Sequence, residues 1–177
     1  MTDDPRFSSK LFSPELPFTP PTDRPVRLCF VCLGNICRSP LAEGVFLHLA
    51  RDRGVLDRFE VDSCGTGSWH IGERPDPRAQ AVAHKHGVEL PSIGRQIDAD
   101  SDARHDLLLA MDRSNAHGVV AAGVPEDRAR LMLSFDPESP PGAEVPDPYF
   151  GGGDGFDRVH AMLTRACGGL LDRCLGG

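Results

Sequence analysis

The stretch from Val26 to Leu49 constrains the fold more than any other part of the chain. Val26-Arg27-Leu28-Cys29-Phe30-Val31 reads as a buried strand, and after eight more residues Pro40 opens a helix whose apolar face is Ala42, Val45, Phe46 and Leu49. Ser39 is suited to cap that helix and Pro40 to be its first residue. The pattern then repeats. Phe59–Cys64 reads as a second strand, and Asp76-Pro77 caps a helix that Gly87 can end. Asp106–Met111 is a third strand, with a helix from about Asp112 to Gly123, and Arg130–Ser134 is a fourth. A long Pro/Gly-rich loop from Phe135 to Gly155 precedes a last helix with Val159, Met162, Leu163, Ala166, Leu170 and Leu171 in its core stripe, weakened locally by Gly168 and Gly169. No internal repeat is present. Alternating strand and helix imply a parallel sheet covered on both faces, with right-handed crossovers and the ligand outside the carboxyl ends of the strands.

Residues 1–25 hold six of the 16 prolines and show no sustained periodicity. They are expected to form a flexible or extended Pro-rich arm, with the folded domain spanning 26–177. A domain of this length buries roughly two-thirds of its unfolded surface.

The ligand position falls on Cys32-Leu33-Gly34-Asn35-Ile36-Cys37-Arg38-Ser39. Five residues between Cys32 and Arg38 let successive N–H groups curl into one concavity, an anion-binding nest. Gly34 and Asn35 tolerate the left-handed dihedrals such a curl requires. The following helix adds its positive N-terminal end, and Arg38 offers a planar fork for two phosphate oxygens. A thiol at the mouth of this nest sits where thiolate is favoured, and the Ser39 hydroxyl can donate to the sulfur. The arrangement suits attack on the phosphorus of a phosphate monoester with the equatorial oxygens held by N–H groups and Arg38, without a metal or cofactor.

Composition narrows the rest. With 19 Lys+Arg against 26 Asp+Glu the chain carries −7, which argues against general binding to nucleic acid or an anionic membrane. Its apolar runs are too short to span a bilayer. No apolar signal core follows Met1, so a cytoplasmic location with reduced thiols is expected. Cys29-Phe30-Val31-Cys32 is formally a Cys-x-x-Cys, but Cys29 lies inside a strand and no second pair completes a zinc site. Cys29, Cys64, Cys167 and Cys174 read as small packing residues.

Val31-Cys32-Leu33-Gly34-Asn35-Ile36-Cys37-Arg38-Ser39-Pro40 closely resembles the phosphate-binding loop of the low-molecular-weight protein tyrosine phosphatases. The resemblance runs from about Val26 to the C-terminus through Asp62-Ser63, Gly67-Ser68-Trp69-His70, Arg95-Gln96, Ala110-Met111-Asp112 with Ser114-Asn115, and Asp147-Pro148-Tyr149. It implies a three-layer, flavodoxin-like α/β sandwich with a four-stranded parallel sheet in the order 2-1-3-4. It also implies a phosphocysteine mechanism: Cys32 as nucleophile, the loop from Leu33 to Arg38 as phosphate cradle, and Ser39, Asn35 and Ser63 as supports. Asp147, between two prolines in the long loop, becomes the acid that protonates the leaving oxygen and then the base that activates water.

Trp69 and Tyr149, the only Trp and the only Tyr, would wall a slot deep enough for a phosphotyrosyl ring. Ile36 narrows that slot where a related phosphoarginine-directed branch carries Thr. Two departures stand out: Phe150 replaces a second Tyr, and Ser92 stands where some members have a His behind Asn35. In related enzymes the neighbour at Cys37 forms a reversible disulfide that guards the nucleophile; plain packing is the alternative. The implied partners are tyrosine-phosphorylated proteins, and the implied assembly a monomer or weak homodimer. Two rivals use the same loop. A thioredoxin-coupled arsenate reductase needs two relay cysteines, yet no Cys occurs between Cys64 and Cys167. A non-catalytic phosphoprotein-binding module would not need Cys32, Arg38 and Asp147 together.

Overall fold

The computed structural model describes residues 4–176. Four strands, β1 (Val26–Cys32), β2 (Phe59–Gly65), β3 (Leu107–Ala110) and β4 (Ala129–Leu131), form one parallel sheet in the order β2-β1-β3-β4. The register sets Val26 beside Phe59 and Cys32 beside Gly65, so β1 and β2 end level at the carboxyl edge. Five helices accompany it: α1 (Arg38–Asp52), α2 (Pro77–Lys85), α3 (Ala99–Asp102), α4 (Arg113–Ala121) and α5 (Gly155–Cys174).

The pleat divides β1 between two cores. Leu28, Phe30 and Cys32 face α1, α2 and α5, where Leu41, Phe46, Leu163 and Leu170 are fully buried. Cys29 and Val31 face the other way, against Ala116 and Val119 of α4. The second face is thinly covered, because α4 has only nine residues. Leu11 and Phe12, in a 3-10 turn over Ser9–Phe12, complete it.

Of the segment expected as a flexible or extended arm, residues 4–25 run over the domain with one short 3-10 turn; residues 1–3 lie outside the described residues. Leu11 is fully buried, and the chain then passes the β4 edge to bring Leu16 and Phe18 against the first core. At that edge Arg130 donates through Nε to the Glu15 carbonyl (3.1 Å). A two-sided sheet edge exposes unpaired backbone groups, and this crossing covers it.

Boundaries differ from expectation where packing overrides pattern. The fourth strand stops at Leu131, and Met132–Phe135 turns into a 3-10 helix that seats Met132, Leu133 and Phe135 under α5. A strand would have turned alternate residues outward. A Cβ at Gly169 would overlap the Phe135 carbonyl oxygen, so the glycine in α5 admits this turn. Helix α1 starts at Arg38, two residues early, with no side-chain cap. Ser39 is turned toward the loop instead.

Candidate active site

The eight-residue loop closes between the ends of β1 and β2. Gly67 N–H reaches the Leu33 carbonyl and Thr66 N–H the Cys32 carbonyl (both 2.9 Å). A Cβ on Gly65 would lie 2.7 Å from the Leu33 oxygen and 3.1 Å from Asn35 N, so glycine is what allows the loop to sit this close. Asn35 takes φ 57°, the only non-glycine left-handed residue among those described. Its buried side chain holds the curl from inside. Oδ1 accepts from Arg95 N (3.0 Å), while Nδ2 donates to Ser39 Oγ (2.8 Å) and Ser63 Oγ (3.0 Å).

Ser39 Oγ, which accepts from Asn35, lies 3.0 Å from Cys32 Sγ and 3.4 Å from the Cys64 carbonyl, so its one proton can go to the sulfur when that is a thiolate; Asn35 N–H donates to Cys32 Sγ at 3.3 Å. Ser63 likewise accepts from Asn35 and donates to Glu43 Oε2 (2.8 Å). Burial pushes Glu43 up to about 7, against the pull of the Ser63 hydrogen bond and with a contribution from the Asp62 charge. A line of hydrogen bonds thus runs from a buried carboxyl through Ser63, Asn35 and Ser39 to Cys32 Sγ.

Arg38, 3% exposed, is aimed by two acceptors on one nitrogen: Asp112 Oδ2 (2.7 Å) and the Val145 carbonyl (3.0 Å). Its other nitrogen lies 3.7 Å from Asp147 Oδ2. Asp112 also caps α4 by accepting from Asn115 N (2.8 Å). Asp147 Oδ1 accepts from Tyr149 N (3.0 Å) in an Asx turn that presents the second oxygen toward Arg38.

The site residues anticipated from sequence meet around one cavity of about 150 Å³: Cys32, Leu33, Gly34, Ile36, Cys37 and Arg38 form its base, with Asp147, Trp69 and Tyr149 about the mouth. Asn35, Ser39 and Ser63 lie behind it. His70 and Phe150 line it as well. Trp69 and Phe150 are 70% and 92% exposed, so the rim is an open apolar collar. Arg78 sits over Tyr149, 5.3 Å from the ring centroid, and donates to its carbonyl (3.0 Å). Burial pushes the Cys37 thiol up to about 12, which keeps it protonated at neutral pH.

Three residues had no role assigned from sequence: Asp112, Glu43 and Arg95. Asp112 was legible as a helix cap just past a strand end, the same edge as the loop. Arg95 is gripped by Asp62 Oδ2 (2.8 Å) and Asp102 Oδ1 (2.7 Å), and its backbone N–H steadies Asn35. Cys29 faces away from Cys32; its sulfur lies 3.6 Å from that of Cys64, and the Arg95 guanidinium approaches to 3.7 Å. The Cys29–Cys32 spacing therefore makes no pair.

A parallel α/β sheet with a thiol in an anion nest after its first strand, an arginine at the nest's end and a carboxyl opposite defines a cysteine-dependent phosphatase site. The comparisons with known proteins make this specific. The model of the family described as low molecular weight phosphotyrosine protein phosphatase matches residues 27–175, leaving the N-terminal segment outside. The chain is 44% identical over 149 residues to a low molecular weight protein-tyrosine-phosphatase of Streptomyces coelicolor, covering 82% of this chain and 91% of that one. A crystal structure of a protein tyrosine phosphatase from Entamoeba histolytica, with Hepes in its active site, superposes with a TM-score of 0.80 at 35% identity over 86% and 98% of the two chains. A Drosophila arginine phosphatase also matches, at TM-score 0.71 and 32% identity over 82% and 95%. The chain belongs to the low molecular weight phosphotyrosine protein phosphatase family.

Proposed function

We propose that the chain hydrolyses phosphotyrosine in proteins through a phosphocysteine intermediate. The observation that carries this reading is that Cys32 Sγ, 3.0 Å from Ser39 Oγ and accepting from Asn35 N–H at 3.3 Å, shares one cavity with Arg38 in its base and Asp147 at its mouth. The Cys32 thiolate attacks phosphorus, the P–O bond to the tyrosyl oxygen breaks, and Asp147 gives that oxygen its proton. Water then attacks the phosphocysteine, Asp147 takes the water's proton, and the S–P bond breaks to release phosphate and thiolate. Arg38 and the loop N–H groups hold the three equatorial oxygens through both steps, where charge is spread in the transition state.

The collar of Trp69, Tyr149 and Phe150 suits a flat aromatic leaving group on a protein surface. A phosphoarginine activity is the second reading, because an arginine phosphatase shares the fold. Ile36, 8% exposed in the base, favours the tyrosyl ester. The catalytic unit in this reading is 26–177, acting on tyrosine-phosphorylated proteins in the cytoplasm as a monomer or weak homodimer. No helix among the described residues is long and apolar enough to cross a membrane.

The test is hydrolysis of aryl phosphates at mildly acidic pH in EDTA, beside a phosphoarginine peptide. Cys32→Ser is expected to abolish turnover. In Asp147→Ala, kcat/KM, which reports the cleavage of the ester alone, should fall about 100-fold or more on phenyl phosphate and much less on p-nitrophenyl phosphate, whose leaving group hardly needs a proton. Activity surviving in Cys32→Ser, or equal losses on both esters in Asp147→Ala, would overturn the mechanism.

A further inference from the structure

Among the ties that hold the loop carrying Asp147 from outside the cavity, the one at Arg113 reaches the N-terminal segment. The Arg113 backbone N–H donates to Glu144 Oε2 (2.6 Å), and its Nη1 donates to the Gly142 carbonyl (2.9 Å) and lies 3.4 Å from Glu144 Oε1. The adjacent Val145 donates to the Met111 carbonyl (2.8 Å) and accepts from Arg38 (3.0 Å), and Asp147 follows two residues on. From its other side the Arg113 guanidinium lies over Phe12, 5.0 Å from the ring centroid, with Nε 3.7 Å from Asp4 Oδ2. The N-terminal segment supplying both is itself fastened: Ser8 N–H donates to Glu126 Oε1 (2.7 Å), and Leu11 is fully buried.

We propose that residues 4–12 form a strap that holds the acid-bearing loop in place through Arg113, which is a positioning residue for Asp147. This rests on the phosphatase reading of the site. A general acid must stand within hydrogen-bond reach of the leaving oxygen, and a misplacement of about 1 Å costs up to about 100-fold in rate. The loop from 136 to 154 has no helix or strand of its own to set that distance. A guanidinium stacked on a buried ring has few alternative positions, so Gly142 and Glu144 are held by a fixed point. The segment lies outside the residues that match the family model, so this chain carries its own brace for a shared acid loop.

The experiment uses the full chain with Arg113→Ala and Phe12→Leu, the second of which keeps an apolar side chain against the core. In Arg113→Ala, kcat/KM on phenyl phosphate, which reports the cleavage of the ester alone, is expected to fall about 10-fold further than on p-nitrophenyl phosphate, with inhibition by inorganic phosphate unchanged. Phe12→Leu should show the same selective loss at smaller size. Amide hydrogen exchange over 142–150 should quicken in both while that of β1 and β3 stays as in the parent. Equal losses on the two esters, no loss, or unchanged exchange in the loop would each overturn the strap. If the parent chain hydrolyses neither ester, the phosphatase reading fails, and the exchange result still decides whether the strap holds the loop.

Discussion

Around Cys32, the site depends on side chains whose orientation is set by a neighbour. Asn35 has its oxygen engaged by Arg95 N–H, so its two amide protons go to Ser39 and Ser63; the Ser63 hydroxyl is then turned to Glu43, and the Ser39 hydroxyl has Cys32 Sγ and the Cys64 carbonyl in reach. Glu43 ends this line of hydrogen bonds. Because burial lifts its folded-state value to about 7 from a reference of 4.5, the folded protein holds a proton that the unfolded chain has lost between those pH values. That stabilisation is fully present below about 4.5 and disappears as pH rises through about 7. The difference amounts to on the order of 3 kcal/mol. Glu43→Gln keeps an oxygen for the Ser63 hydroxyl and removes the proton. Denaturant unfolding from pH 4.5 to 8 is expected to show the variant gaining on the parent as pH rises; a constant difference across that range would refute the assignment. Gly34 and Asn35 were legible from sequence as residues able to curl left-handed, since that property belongs to the residue type. Glu43 was not: its partner Ser63 lies on another strand, and a glutamate in an amphipathic helix looks like any solvated one.

Elements show where local pattern yields to tertiary contact. Strands β1 to β3 and helices α2, α4 and α5 were legible, because period and caps such as Asp76 with Pro77 are local signals. The fourth strand was legible but its end was not, because Met132, Leu133 and Phe135 must all be buried and only a helical turn points them there. The four-residue α3 carries too little sequence to show a period. Least legible was the N-terminal segment, whose prolines read as tail while Leu11 fills the gap beside α4. Leu11→Ala is therefore expected to cost about 2–4 kcal/mol in denaturant unfolding, the range for a buried leucine that leaves a cavity. A truly free arm would show no change. The end of β2 bears on the site directly. In Gly65→Ala the new methyl meets backbone atoms of Leu33, Gly34 and Asn35, which cannot rotate away, so the phosphate loop must shift. Phosphate inhibition should weaken and kcat fall by about 10-fold or more, with little change in Tm. Parent-like kinetics in this variant would mean the loop tolerates the displacement.

For the molecule as a whole, the −7 charge and a site for a dianion are in tension only at long range. The net field repels extended polyanions, and beyond about 8 Å it is screened at physiological salt. Inside the cavity the local balance differs. Arg38 is neutralised by Asp112 on one nitrogen, while the other faces the space between the loop and Asp147. An arriving phosphate gains that second nitrogen together with the loop N–H groups, and it binds the folded chain alone. Binding must then appear as stability: at phosphate about 100 times its Kd the folded state gains about 2.7 kcal/mol, or roughly 5–10 °C in Tm for a chain of this size. Cys32→Ser removes the nucleophile but leaves the nest, so it should retain that shift. Arg38→Lys keeps a charge but loses the planar fork that spans Asp112 and the phosphate, and its shift should fall below about 2 °C. A full shift in Arg38→Lys would mean that the loop amides alone bind the anion and that the fork adds nothing to ground-state affinity.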